Sequence, residues 1–133
     1  MVLQNTPVSE IMSSNVITVD MHQTLEEAKE LFAKHKIRHL PVLAYGNLVG
    51  MLSLTDIQRL SSMLEGNSEA VDTMGIEQVM HVYPKYIKNG QSVRDVAELL
   101  SKDEYYALPV VGENNKLMGI VTTTDLIKLM LSK

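Results

Sequence analysis

The order of apolar and polar positions in the first half of this chain predicts short strands and amphipathic helices. Residues 16–19 form a short β-prone run, and an apolar stripe with helical spacing follows it. The stripe consists of Leu25, Ala28, Leu31 and Phe32. Thr24 and Glu27 are spaced as a capping box, in which each residue satisfies a free backbone N–H of the other. The pattern therefore predicts a strand followed by a helix that begins at Leu25.

A β-hairpin and a second helix are predicted next. Residues 39–43 and 48–53 are rich in apolar and β-branched residues, and the turn-prone residues 45–47 lie between them. A helix that begins near Asp56 is expected to bury Ile57, Leu60 and Met63. The first half of the chain thus predicts the element order β-α-β-β-α.

The same pattern occurs a second time. Residues 8–12 (VSEIM) return as residues 76–80 (IEQVM), 68 positions later from Met12 to Met80. A Leu-Pro-Val segment at 40–42 likewise returns at 108–110. Gly50 to Asp56 returns as Gly119 to Asp125, now 69 positions later, so one residue has been added in the second hairpin. A repeat of this length, present twice, predicts two similar units packed around a cleft.

Composition excludes several classes of protein. With 133 residues, 45% hydrophobic and 21% charged, the chain is expected to form a soluble globular fold. A formal net charge of −4 is unfavourable for nucleic-acid binding, which depends on Lys and Arg at phosphates. No cysteine is present, so disulfides and thiol catalysis are excluded. The sequence shows no apolar run of membrane-spanning length and no secretory signal, so we expect a cytoplasmic protein without membrane contact.

Motifs for catalysis or metal binding are not found in the sequence. The four histidines lack the spacing of a metal site, and no phosphate-binding loop, nucleophile elbow or dinucleotide fingerprint occurs. We therefore expect no enzyme activity, no metal and no catalytic cofactor. Four methionines at helical or paired positions are expected to pack in the core: Met51, Met63, Met118 and Met130.

Four features that occur in order in both copies carry a family resemblance. They are the opening segment that ends in Met, the capped helix, the Leu-Pro-Val strand, and Gly-x-φ-[Ser/Thr]-x-x-Asp, where φ is apolar. The chain resembles a tandem pair of cystathionine-β-synthase (CBS) domains, the Bateman module. The repeats would be residues 7–63 and 76–131, with residues 64–75 as a linker or a loosely formed helical extension. The resemblance implies an α+β fold in which two β-α-β-β-α repeats pack as a pseudo-two-fold pair with clefts between them.

The resemblance also implies a function. Such modules are known mainly as sensors of adenine nucleotides (AMP, ADP or ATP) or of related adenosyl compounds such as S-adenosylmethionine. We therefore expect a regulatory, stand-alone homodimer that passes a ligand signal to a target protein. The alternative is an interaction or dimerisation scaffold whose ligand sites are degenerate.

Asp56 and Asp125 are the strongest binding candidates by their chemistry. An ionised carboxylate only accepts hydrogen bonds, so its two oxygens suit the two cis hydroxyls of a ribose. Ser53 and Thr122, three residues earlier, lie where a helix begins, and a helix N-terminus favours phosphate. The same Ser/Thr-x-x-Asp spacing is also a variant capping box, so a purely structural role is open as well at this point.

The resemblance assigns each Asp to a cleft with residues of the other repeat. Site A would comprise Ile17, Arg38, His39, Thr122, Thr124 and Asp125. Site B would comprise Ser53, Thr55, Asp56, Lys85, Tyr106 and Ala107.

The two sites differ in charge. Arg38 can bind phosphate oxygens with two parallel N–H groups, and His39 can join when it is protonated. Tyr106 can stack on a base or lie at the edge of the core, and Lys85 adds one charge to site B. Alternatively, Arg38 and His39 are a solvated pair at a helix end.

Overall fold

The computed structural model describes residues 3–102 and 106–132, and the chain folds as two units. The continuous unit is Ile17–Pro84. The split unit combines Met1–Val16 with Lys85–Lys133. Each unit is a small mixed sheet with its own helices and its own apolar core.

The continuous unit contains four strands and three helices. They are β1 (Val19–Asp20), α1 (Leu25–His35), β2 (His39–Ala44), β3 (Asn47–Ser53), α2 (Leu54–Met63), α3 (Ser68–Asp72) and β4 (His81–Val82). The strand order is β1-β2-β3-β4. β1 is parallel to β2 because α1 carries the chain back to the same end of the sheet, and the other pairs are antiparallel.

Local signals in the sequence explain most of these elements. Thr24 and Glu27 form the expected capping box, and α1 ends at Lys36 in a left-handed conformation (φ 53°). Leu25, Ala28 and Phe32 are buried, which confirms the predicted face. The first strand is shorter and later than predicted, because only Val19 and Asp20 pair with β2.

The split unit repeats the β-α-β-β-α order. Its elements are β5 (Ile87–Lys88), α4 (Val93–Lys102), β6 (Ala107–Val111), β7 (Leu117–Thr122) and α5 (Thr123–Ser132). β5 is parallel to β6, and β7 is antiparallel to β6. Ser13 adds an isolated antiparallel bridge to Ile120, in the place that β4 takes beside β3 in the continuous unit. The predicted α+β fold with two β-α-β-β-α repeats is confirmed.

The opening segment of each sequence copy packs in the unit formed by the other copy. Val8 is fully buried in the core of the split unit, and Ile76 is fully buried in the core of the continuous unit. Met12 accordingly lies against Gly119, and Met80 lies against Gly50. The units thus divide the chain after residues 16 and 84, whereas the sequence repeats divide it at residues 64–75.

Residues 64–75 are part of the continuous unit, and the helical alternative describes them better than a linker. They contain α3, in which Val71 is fully buried. Lys29 Nζ on α1 lies 2.6 Å from Asp72 Oδ1 at the end of α3. A buried side chain and an ion pair therefore hold this helix against α1.

The expectation that four methionines pack in the core is wrong for two of them. Met51 and Met118 are partly buried, but Met63 is 73% exposed and Met130 is 68% exposed. Both lie near the ends of α2 and α5, on faces that the rest of the chain does not cover. Helical spacing identifies an apolar stripe but does not say whether this chain covers it.

Candidate functional site

Asp56 lies in the first turn of α2 and is held by the N-cap residue Ser53. Ser53 Oγ donates a hydrogen bond to Asp56 Oδ2 at 2.7 Å, and Asp56 N–H donates to Ser53 Oγ at 3.1 Å. The Asp56 side chain is only 13% exposed. The carboxylate is therefore fixed at the junction of β3 and α2, where sequence reasoning placed it.

Two basic side chains of the same unit also approach this carboxylate. His81 Nε2 lies 3.0 Å from Asp56 Oδ2, and Arg59 Nη1 lies 3.7 Å from Asp56 Oδ1. Sequence reasoning missed both contacts. The available signal was a difference between the copies: position 81 is His, whereas its counterpart, position 13, is Ser.

Arg38 and His39 lie beside the same junction. His39 pairs with Ser53 across β2 and β3, and the Arg38 carbonyl accepts a hydrogen bond from Leu54 N–H at 2.9 Å. The Arg38 side chain is exposed and His39 is half-buried. Two of the first three backbone N–H groups of α2 therefore already donate hydrogen bonds, one to the Arg38 carbonyl and one to Ser53 Oγ. Fewer free N–H groups remain at this helix end to bind a phosphate.

His39 is shifted towards the neutral form. Burial lowers the pKa of His39 below its ordinary value of 6.5, and repulsion by the Arg38 guanidinium lowers it further. The Asp56 carboxylate opposes both effects. A lowered pKa disfavours the protonated imidazole that sequence reasoning proposed for phosphate binding, so at pH 7 His39 is mainly a neutral hydrogen-bonding group.

This shift predicts how stability depends on pH. The unfolded chain protonates His39 more readily than the folded chain does, so the unfolding free energy falls as pH drops through about 6.5. We expect His39→Gln to lose less stability between pH 7.5 and 5.5 than the wild type. Urea denaturation at both pH values measures the difference, with His35→Gln as an exposed control on α1. Equal losses in wild type and His39→Gln would contradict the prediction.

Asp125 occupies the equivalent position at the start of α5. Thr122 donates to Asp125 Oδ2 through its N–H at 2.8 Å and its hydroxyl at 3.1 Å, and Asp125 N–H donates back to Thr122 Oγ1 at 3.2 Å. The Tyr106 carbonyl accepts from Thr123 N–H at 3.1 Å, as the Arg38 carbonyl does in the other unit. Among the described residues of the split unit, no cationic side chain forms an ion pair with Asp125.

A third copy of this cap lies where no site is predicted. At the start of α4, Ser92 donates to Asp95 Oδ2 through its N–H at 3.0 Å and its hydroxyl at 3.2 Å. This local arrangement lowers the pKa of the Asp95 carboxyl. Capping is therefore a real role of Asp56 and Asp125, and cap geometry alone does not distinguish a binding carboxylate from a structural one.

The remaining candidates have varied environments. Ile17 packs against the core of the continuous unit, and Ala107 is buried in β6. Thr55, Thr124 and Lys85 are exposed. Tyr106 is 64% exposed, which does not fit a place at the edge of the core.

Each unit by itself assembles half of each predicted site. The continuous unit brings together Arg38, His39, Ser53 and Asp56, and the split unit brings together Tyr106, Thr122 and Asp125. Sites A and B each combine residues of both units, so their membership remains a prediction.

Residues 3–102 and 106–132 contain no group of three or more His, Asp or Glu side chains placed to hold a metal ion. None of the helices within these ranges has the length and apolarity needed to cross a membrane.

Comparison with known proteins identifies the fold and the family. The sequence model of the CBS domain matches residues 8–62 and again residues 76–132. Protein MJ1225 of Methanocaldococcus jannaschii is 27% identical in an alignment 132 residues long. The alignment covers 94% of this chain and 47% of that protein. The TM-score to its crystal structure is 0.87. The chain thus spans about half the length of this relative.

Two solved structures similar to this chain contain adenosyl ligands. CBSX2 of Arabidopsis thaliana in complex with AMP is 25% identical, with a TM-score of 0.84 and coverage of 96% of this chain and 98% of that one. The CBS domain pair of protein MJ0100, in complex with 5′-methylthioadenosine and S-adenosyl-L-methionine, is 29% identical with the same TM-score and coverage. Two matches to the family model, in order and over most of the sequence, show that this chain belongs to the CBS domain family and carries the domain twice.

Proposed function

We propose that this protein is a regulatory module that binds an adenine nucleotide or a related adenosyl compound and passes the signal to a partner protein. The observation that carries the proposal is its similarity, over 96% of the chain, to two CBS pairs whose structures contain such ligands. AMP, 5′-methylthioadenosine and S-adenosylmethionine share an adenine ring and a ribose with two cis hydroxyls. Recognition of that shared part would suffice for binding.

In this proposal Asp56 and Asp125 accept the ribose hydroxyls. Both are half-buried carboxylates that a Ser or Thr cap holds at a strand-to-helix junction. A fixed carboxylate loses little side-chain entropy when it binds a diol, which favours affinity. Arg38 then supplies the charge for a phosphate at site A, and Tyr106 the ring for a base at site B.

A ligand screen by thermal shift tests the proposal. We expect AMP, ATP, S-adenosylmethionine or 5′-methylthioadenosine to raise the melting temperature, since a ligand at 100 times its Kd adds about 2.7 kcal/mol of stability. GMP and inorganic phosphate are the controls, and we expect neither to have this effect. No shift with any adenosyl compound would reject the proposal.

The scaffold alternative also has an observation in its favour. Both carboxylates already serve as helix caps, and Asp56 has two basic neighbours in addition. A protein that dimerises normally but binds none of the adenosyl compounds would fit this alternative.

Assembly into a homodimer is the second part of the proposal. α5 leaves three large apolar side chains exposed, namely Ile127, Met130 and Leu131. Such a face is costly in water and suits an interface with a second copy of the chain.

We expect light scattering at micromolar concentration to give about twice the chain mass of 14.9 kDa. Met130→Glu should shift the protein towards monomer, because a charge in an apolar interface is desolvated without a partner. Glu113→Lys, which alters an exposed turn, is the surface control. A monomer mass for the wild type, with and without ligand, would contradict this prediction.

A further inference from the structure

The two carboxylates of the repeated motif differ in their ionic surroundings. Asp56 Oδ2 accepts from Ser53 Oγ and also faces His81 Nε2 at 3.0 Å, while its Oδ1 faces Arg59 at 3.7 Å. Asp125 Oδ2 receives both of its hydrogen bonds from Thr122. In the described part of the split unit, no side chain pairs with Asp125 Oδ1.

This difference arises from two positions at which the copies diverge. The counterpart of His81 is Ser13, whose backbone pairs with Ile120 as the backbone of His81 pairs with Met51. The counterpart of Arg59 on the following helix is Lys128. The backbones at positions 13 and 81 are thus similarly placed, but only position 81 carries a side chain that contacts the motif carboxylate.

We propose that His81 restrains Asp56 by pairing with its carboxylate, so that a ribose diol binds at Asp125 before it binds at Asp56. This inference rests on the proposed function and deepens it. A diol needs both carboxylate oxygens, and at Asp56 it must displace the imidazole from Oδ2 and compete with Arg59 at Oδ1. Among the described residues of the split unit, no such side chain has to be displaced from Asp125. His81 is therefore a specificity-determining residue, and its removal should strengthen binding at Asp56.

Adenosine is the appropriate probe because it has the diol but no titrating phosphate. In an Asp125→Ala background, which leaves Asp56 as the motif carboxylate, we expect His81→Ser to tighten adenosine binding about two- to fivefold. The affinity for 2′-deoxyadenosine, which lacks one hydroxyl of the diol, should rise little. Isothermal titration calorimetry measures both affinities.

His22→Ser is the matched control. It removes another His–Asp pair of the continuous unit, in which His22 Nδ1 lies 2.9 Å from Asp20 Oδ1. We expect it to leave adenosine affinity unchanged.

Each outcome supports or overturns a definite claim. If wild-type protein binds adenosine but His81→Ser leaves binding at Asp56 unchanged, weaker or absent, the inference is wrong and the proposed function stands. If wild-type protein binds no adenosyl compound, the proposed function fails and the inference fails with it.

Discussion

Replacement of Asp125 by Ala is expected to remove the tighter phase of AMP binding, with a loss of affinity of about 100-fold or more. The variant deletes both acceptors of the ribose hydroxyls, and a hydrogen bond to a charged group contributes about 1.5 to 3 kcal/mol. Asp125 is the better acceptor of the two motif carboxylates, because no cation pairs with it among the described residues of its unit. Isothermal titration calorimetry with AMP measures the loss directly.

The variant also removes a helix cap, so a control for stability is needed. Asp95→Ala deletes the same kind of carboxylate from the same kind of cap, in the same unit and at similar distances. Both variants should lose about 1 kcal/mol of stability, the typical effect of losing a cap. Only Asp125→Ala should lose affinity for AMP. Equal AMP affinity in the two variants would show that Asp125 is a cap and nothing more.

Gly119→Ala is expected to destabilise the protein by about 3 kcal/mol, and Gly50→Ala by less. A Cβ at position 119 would lie 2.7 Å from the Ser13 carbonyl oxygen, a backbone atom that cannot move without breaking the bridge to Ile120. At position 50 the nearest backbone atom, the His81 carbonyl oxygen, is 3.0 Å away. The methionine sulfurs are close in both places but can rotate away. Overpacking of this kind usually costs about 1 to 3 kcal/mol.

Gly90→Ala is the matched control for both variants. A Cβ at position 90 would meet no atom within 4 Å, so its effect on stability should be small or slightly favourable. Denaturant unfolding of the three variants gives the ranking. If Gly119→Ala were as stable as Gly90→Ala, the close contact between the opening segment and β7 would be disproved.

The features that the sequence predicted correctly are local ones. The capping box of Thr24 with Glu27 forms as expected, because its two residues are only three positions apart. The first hairpin follows from two apolar segments around a turn, and β2 and β3 lie within one residue of the predicted ranges. Such elements depend on nearby residues, whose types fix their conformations.

The structural features that the sequence did not predict depend on contacts between distant residues. The pairing of His81 with Asp56 requires β4 to lie beside β3, and no pattern within either segment encodes that. The exposure of Met63 depends on which helix faces the rest of the chain covers. Likewise, the lowered pKa of His39 arises from its burial and from the charges around it, which an isolated His-Leu-Pro segment does not show.

The split unit has a consequence for how the chain folds during synthesis. The continuous unit, Ile17–Pro84, is complete in sequence as soon as Pro84 has left the ribosome, and it can fold while translation continues. The core of the split unit must wait, because it contains both Val8 and Val121 and is incomplete until Val121 has been made. The split unit consists of two segments, and the continuous unit connects them in the sequence. Once the continuous unit has folded, this connection is no longer a flexible loop, so the entropic cost of bringing the two segments together is lower. We therefore expect an obligatory order of assembly in which the continuous unit folds first.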